Sequence, residues 1–229
     1  MYGLRILATS REFSRNRSPC AARSPRLDAS DAFHHASGHR RQVEEGRDGP
    51  GGCDRSRDAE RRPTWEKLGG HWEARMQLPT GQGLWPAFWT VGNGGWPMTG
   101  EIDIMENLGH QPNQVHQVLH YGPDEPSDIN WGQTAPVSGG VTGFHTYAID
   151  WNNSANGYIK WSVDGVVTRT VTAAQANARQ AGLWDRIRTN PQNIIINLAV
   201  GGWPGTPPAG PMSAVMKVDY IRVYENPMN

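Results

Sequence analysis

The chain has 229 residues, with 22 Lys plus Arg set against 22 Asp plus Glu, so net charge supplies no general drive toward nucleic acid or other anionic polymers. No apolar run approaches the roughly 18 residues that a membrane-spanning helix needs. Both cysteines, Cys20 and Cys53, fall within the first 63 residues and define neither a redox compartment nor a disulfide framework for the remainder.

Residues 1–63 stand apart in composition. They hold 13 arginines, no lysine, nine acids and no tryptophan, although the whole chain has ten. Apart from a short apolar patch at Leu4 to Ala8, the segment keeps neither a period of 2 nor one of 3.6. Its arginines are interleaved with acids rather than gathered into a patch, which argues against a nucleic-acid-binding arm. The segment reads as disordered, or as sequence foreign to the rest, such as a misread frame or a fusion. Met1 to Phe13 lacks the continuous apolar core and small-residue cleavage site of a signal peptide. About 166 residues, 64–229, remain to form one domain of ordinary size.

From residue 70 the pattern becomes that of strands. Trp72, Ala74, Met76 and Leu78 alternate with Glu73, Arg75 and Gln77, as in a half-buried strand. A tryptophan-rich stretch follows, Gly83-Leu84-Trp85-Pro86-Ala87-Phe88-Trp89 and then Gly94-Gly95-Trp96-Pro97-Met98-Thr99-Gly100. It runs directly into Glu101-Ile102-Asp103-Ile104-Met105-Glu106, where three carboxylates stand within six residues of an otherwise apolar segment. In a regular strand Glu101 and Asp103 share one face and Glu106 points to the other. A bulge at Met105 inserts one residue, resets the alternation and brings all three acids to one surface. The glutamate backbones then lie roughly 13 Å apart, and their side chains can lean together to the roughly 5 Å separation that a retaining glycosidase uses. The plainer reading is an exposed acidic edge.

Further along, Val115 to Tyr121 alternates as a strand carrying His120, which either serves the acids or is held by a backbone carbonyl. Ile159, Trp161 and Val163 alternate with Lys160 and Ser162. Asp164-Gly165 supplies a two-residue turn, and Val166 to Thr172 returns as the second arm of a hairpin. One helix is predicted near Ala173 to Gln180, and residues 193–200 and 215–224 are β-rich. Many short strands between Gly- and Pro-rich turns predict an all-β sandwich.

Five blocks in order carry a family resemblance: Gly83 to Gly109 with Val115 to Gly122, Phe144 to Trp151, Trp161 to Gly165, Asn197 to Gly202, and Val218 to Tyr224. Over roughly residues 69–225 the chain resembles glycoside hydrolase family 16, in particular its laminarinase-like endo-β-1,3-glucanases. Its six-residue acid motif is that of the bulged branch, which also includes agarases, carrageenases and galactanases. The resemblance implies a jelly-roll β-sandwich (concanavalin A-like), incomplete here at its N-terminal strands. It implies retaining hydrolysis of β-1,3-glucan or mixed β-1,3/1,4-glucan, with Glu101 as nucleophile, Glu106 as acid/base and Asp103 between them.

By the same resemblance Trp89, Trp96 and His120 belong to the substrate cleft and Trp203 to its rim, while Trp85 is assigned to the scaffold. No cofactor is required. A structural calcium is compatible with Asp219, for which a solvent-facing strand carboxylate is the alternative. A polysaccharide is the expected partner, with no nucleic acid or membrane, for a monomer acting outside the cell. A glycan-binding sandwich that does not cut, and a hydrolase of another glycan such as a galactan, stay open. Missing N-terminal strands would leave sheet edges unpaired and an apolar face uncovered, so a poorly soluble or weakly active product is expected.

Overall fold

The computed structural model describes residues 3–8 and 66–228. The expectations for residues 1–63 therefore lie outside the described residues, except at Gly3–Ala8. There the chain forms a strand, β1, where no ordered element was expected, pairing in parallel with the last strand of the chain.

The remaining strands are β2 (Gly70–Gln77), β3 (Leu84–Gly92), β4 (Glu101–Glu106), β5 (Gln114–His120), β6 (Trp131–Pro136), β7 (Phe144–Asn152), β8 (Tyr158–Val163), β9 (Val166–Thr172), β10 (Gln192–Val200) and β11 (Ser213–Tyr224). They form two sheets. One has the order β1-β11-β2-β7-β8-β9, and the other has the order β10-β3-β4-β5-β6. This is the expected β-sandwich of jelly-roll type.

The alternation that marked β2 as half-buried is realised: Trp72, Ala74 and Met76 are fully enclosed, and their odd-numbered neighbours face away from the core. The space between the sheets is filled by large side chains, among them Phe88, Ile102, Ile104, Met105, Tyr147, Trp151 and Trp161, each wholly buried. Four buried tryptophans supply much of this apolar area. Trp161 also satisfies its one polar atom by donating from Nε1 to the Asp103 main-chain oxygen at 2.9 Å, tying β8 to β4 across the sandwich.

The β8–β9 hairpin turns as the sequence predicts. Asp164 and Gly165 have φ of 51° and 77°, the positive values that a tight hairpin turn demands at its two central residues. The predicted helix is present as α1 (Ala173–Arg179), opened by a capping box between Thr172 and Gln175. A second helix, α2 (Leu183–Thr189), was not anticipated. Leu183, Trp184 and Ile187 are its buried face, a helical spacing too short to stand out from a seven-residue segment.

Candidate active site

Strand β4 is central in its sheet, between β3 and β5, and its sequence fixes where the acids point. Against β3, Asp103 pairs with Trp89 and Met105 with Phe88, leaving Ile104 unmatched. Against β5, Asp103 pairs with Val118 and Glu106 with His116. The inserted residue therefore lies at the Ile104–Met105 step rather than at Met105 alone, and both side chains go fully into the core. The reset expected from the sequence follows: Glu101, Asp103 and Glu106 all emerge on the face away from the core and line one cleft with Trp85, Ala87, Trp89, Asn197 and Ala199.

Each acid has a cross-strand partner on either side. Glu101 lies between Val91 and His120, Asp103 between Trp89 and Val118, and Glu106 between Ala87 and His116. Ahead of the strand, Gly100 has a φ of 82°, and a Cβ there would sit 1.9 Å from the Tyr121 ring. Only glycine lets the loop from Trp96 turn this tightly into the first acid.

Electrostatics separate the three carboxyls. Glu101 is raised from its ordinary value by burial, which is opposed by His120 and by hydrogen bonds from Trp96 and Asp103. Asp103 is held well above the usual carboxylate range, first by complete burial and then by the charges of Glu101 and Glu106. That shift favours the protonated form, in which Asp103 can donate to Glu101. Glu106 is pushed up to about 7, again by burial first; the Trp85 hydrogen bond opposes this and the Glu101 charge adds to it. Removal from water, more than repulsion by neighbouring acids, keeps the proton on Glu106.

His120 reaches the acids from β5. Its Nε2 lies 3.7 Å from Asp103 Oδ2 and 4.0 Å from Glu101 Oε1. On the other side of the ring, Nδ1 meets Asp128 Oδ2 at 2.6 Å. A carboxylate, not the backbone carbonyl considered from the sequence, therefore orients the histidine. Asp128 follows the 3-10 turn Glu125–Ser127, whose start is capped by Asp124. With Nδ1–H donating to Asp128, Nε2 faces the acid pair. Sequence reasoning passed over Asp128, since nothing local ties an aspartate in a turn to a histidine eight residues earlier.

The sequence-derived aromatic residues take distinct places. Trp89 lines the cleft floor and donates from Nε1 to Asn197 Oδ1 at 2.8 Å. Trp96 is 39% exposed and lies with its ring 5.8 Å from that of His120, at the Glu101 end. Trp203 is 49% exposed at the Glu106 end, with its ring 4.5 Å from His116 and 5.8 Å from Trp85. Trp85 itself corrects the sequence reading. It is not scaffold: it lines the cleft, and its Nε1 donates to Glu106 Oε1 at 2.9 Å. The alternation of β3 carried the signal, because Trp85, Ala87 and Trp89 share a face.

One ligand atom each of Glu101, Asp103 and His120 lies within 4.8 Å of the others. Asp219, the residue named for calcium, pairs with Arg75 Nη1 at 2.6 Å.

Comparison with known proteins agrees with this geometry. Residues 57–222 match the model of glycosyl hydrolases family 16. The chain is 36% identical over 148 residues to a glucan endo-1,3-beta-glucosidase of Cryptopygus antarcticus, covering 59% of this chain and 52% of that protein. It is 35% identical over 165 residues to a beta-glucanase of Rhodothermus marinus, covering 68% and 57%. Among solved structures, the endo-beta-1,3-glucanase from Pyrococcus furiosus superposes with a TM-score of 0.60 at 43% identity, covering 69% of this chain and 62% of that one. The chain thus spans little more than half the length of the curated relatives it matches. On the family match and the bulged acid strand together, this chain belongs to glycoside hydrolase family 16.

Proposed function

We propose that the chain hydrolyses internal bonds of β-1,3-glucan (laminarin) or mixed β-1,3/1,4-glucan with retention at the anomeric carbon, as an extracellular monomer that needs no cofactor. The carrying observation is the shared cleft face on which Glu106 is pushed up to about 7 by burial while Glu101 accepts hydrogen bonds from Trp96 and Asp103. Burial raises both carboxyls, but at Glu101 the rise is opposed by His120 and by these two hydrogen bonds, which favours Glu106 as the acid and Glu101 as the nucleophile, the division of labour that glycoside cleavage needs.

In the first step a Glu101 oxygen attacks the anomeric carbon, the glycosidic bond breaks, and Glu106 gives its proton to the departing oxygen. In the second, Glu106 takes a proton from water, whose oxygen bonds to the anomeric carbon and displaces Glu101. Asp103, in its protonated form, steadies Glu101 without adding charge beside it. His120, fixed by Asp128, stands against both. The two half-exposed tryptophans bracket the acids: Trp96 at the Glu101 end, and Trp203 at the Glu106 end where the leaving sugar must sit. Their flat faces suit the C–H faces of sugar rings. The chain's zero net charge suits a neutral glycan.

The test is reducing-sugar release from laminarin, lichenan and agarose by the chain and by Glu101→Gln, with the anomeric configuration of the first product followed by NMR. Release from a β-glucan, lost in the variant and yielding the retained anomer first, supports the proposal. Release from agarose alone redirects it to galactans. Folded protein that binds laminarin without cutting it marks a glycan-binding sandwich, and an inverted first product refutes the double displacement.

A further inference from the structure

Trp85 contributes an atom that the two-step scheme leaves without a task. It lies on β3 two residues before Ala87, the residue directly across from Glu106. Its Nε1–H donates to Glu106 Oε1 at 2.9 Å. An indole N–H donates and cannot accept, so Oε1 faces this group as an acceptor whether Glu106 is protonated or not. The carbonyl oxygen of an acid is the better acceptor, so this bond favours Oε1 as the carbonyl and places the acid proton on Oε2. An unrestrained carboxylic acid would share its proton between two oxygens and two rotations of the group, and only one of these arrangements faces the glycosidic oxygen.

The indole is itself held in place. Trp203 packs on it edge-on, with centroids 5.8 Å apart and planes at 75°. Trp203 in turn rests on His116, which lies across from Glu106 on β5 and contacts Gln111 Oε1 through Nε2 at 3.2 Å. Gly202 approaches so closely that a Cβ there would meet the Trp85 ring at 3.2 Å. A ring gripped in this way can serve as a fixed donor.

Resting on the reading of Glu106 as the acid/base, we propose that Trp85 is a positioning residue that reserves Oε1 of Glu106 and so presents the acid proton, on Oε2, to the oxygen of the leaving sugar. This role differs between substrates. A poor leaving group, as in a glucan, needs the proton delivered to its oxygen. A 2,4-dinitrophenolate leaves without one, so its departure does not depend on which oxygen carries the proton. The same N–H opposes the effect of burial on Glu106, so its removal raises the pH at which the acid is lost.

The experiment uses Trp85→Phe, which keeps an aromatic ring and deletes the donor. A second variant carries 3-benzothienylalanine at position 85, which preserves the bicyclic shape with sulfur in place of N–H. Values of kcat/KM are measured on laminarin and on 2,4-dinitrophenyl β-laminaribioside across pH 5 to 9, beside Glu106→Ala. The expected result is a loss of about 10- to 100-fold on laminarin, part of the 10²- to 10⁴-fold that acid catalysis supplies. A loss below about threefold is expected on the aryl glycoside, with the alkaline limb of the laminarin profile moved upward. Equal losses on both substrates, or an unmoved limb in the isosteric variant, overturn the proposal by showing that Trp85 acts only through packing. Full laminarin activity in Glu106→Ala overturns the acid/base reading itself. An inactive Glu106→Ala beside wild-type kinetics in both position-85 variants overturns this inference alone.

Discussion

The raised pKa of Glu106 makes catalysis and stability pull in opposite directions, and Glu106→Gln should expose the conflict. Glu106 is only 8% exposed and is pushed up to about 7 from an ordinary 4.5. A carboxyl whose folded value exceeds its unfolded value binds more protons in the native state, so stability falls as pH rises from about 4.5 to about 7. At 1.36 kcal/mol per unit, the full cost is about 3 kcal/mol once the pH is above both values. The linkage relation puts the cost below about 1 kcal/mol at pH 5 and at about 3 kcal/mol at pH 8. Glutamine keeps the shape, can still accept from Trp85 through its carbonyl oxygen, and carries no charge to desolvate. We therefore predict that Glu106→Gln melts higher than the parent at pH 8, by about 4–10 °C for roughly 2–3 kcal/mol in a domain of this size. The gain should shrink severalfold at pH 5, while glucan hydrolysis falls by about 10²- to 10⁴-fold. Differential scanning calorimetry of both proteins at the two pH values, beside a laminarin assay, reads all three quantities. A variant that melts at or below the parent at pH 8 would refute the reasoning, because burial would then not be penalising the charge.

Other outcomes follow from the same geometry. On the proposed role of Glu106 as the acid, with its pKa at about 7, kcat/KM on laminarin should decline about tenfold per pH unit on the alkaline side, and a rate flat from pH 6 to 9 would exclude this group. Deleting Ile104 removes the inserted residue of β4 and should turn Glu106 toward the core, abolishing activity and lowering the melting temperature; an active deletion variant would show that the bulge is dispensable. Trp203→Ala removes a half-exposed ring and should raise KM for laminarin several-fold, with a melting shift of less than about 3 °C, as expected for a surface site. An unchanged KM would remove Trp203 from the sugar path.

Much of the site was legible because its signals are local. Three acids in six residues, with two isoleucines and a methionine between them, require both a cleft face and a register reset, and β4 supplies both. The hairpin at Asp164-Gly165 and the alternation of Trp72, Ala74 and Met76 were equally plain. What escaped depends on partners far along the chain or on packing. Trp85 finds Glu106 only after β3 and β4 pair, and Trp89 finds Asn197 only once β10 has joined the same sheet. A sequence displays the acids that neighbour Glu106, whereas burial, the larger cause of its raised pKa, belongs to the folded sheet. Helix α2 is a single apolar face of three residues, which helical periodicity does not resolve at that length.

The hydrogen bond from Trp161 to the Asp103 main chain sets how the cleft will age under heat. Its donor belongs to the opposite sheet and its acceptor lies at the middle of the acid strand, so the strand whose bulge spaces the carboxyls is also anchored to the other layer. Loops at the rim can loosen, or be exchanged for others that prefer a different linkage, without moving that strand. Separation of the layers releases it at once. Thermal inactivation of this chain should therefore coincide with the parting of its two sheets, and improvements in heat tolerance are to be sought behind the acids rather than around them.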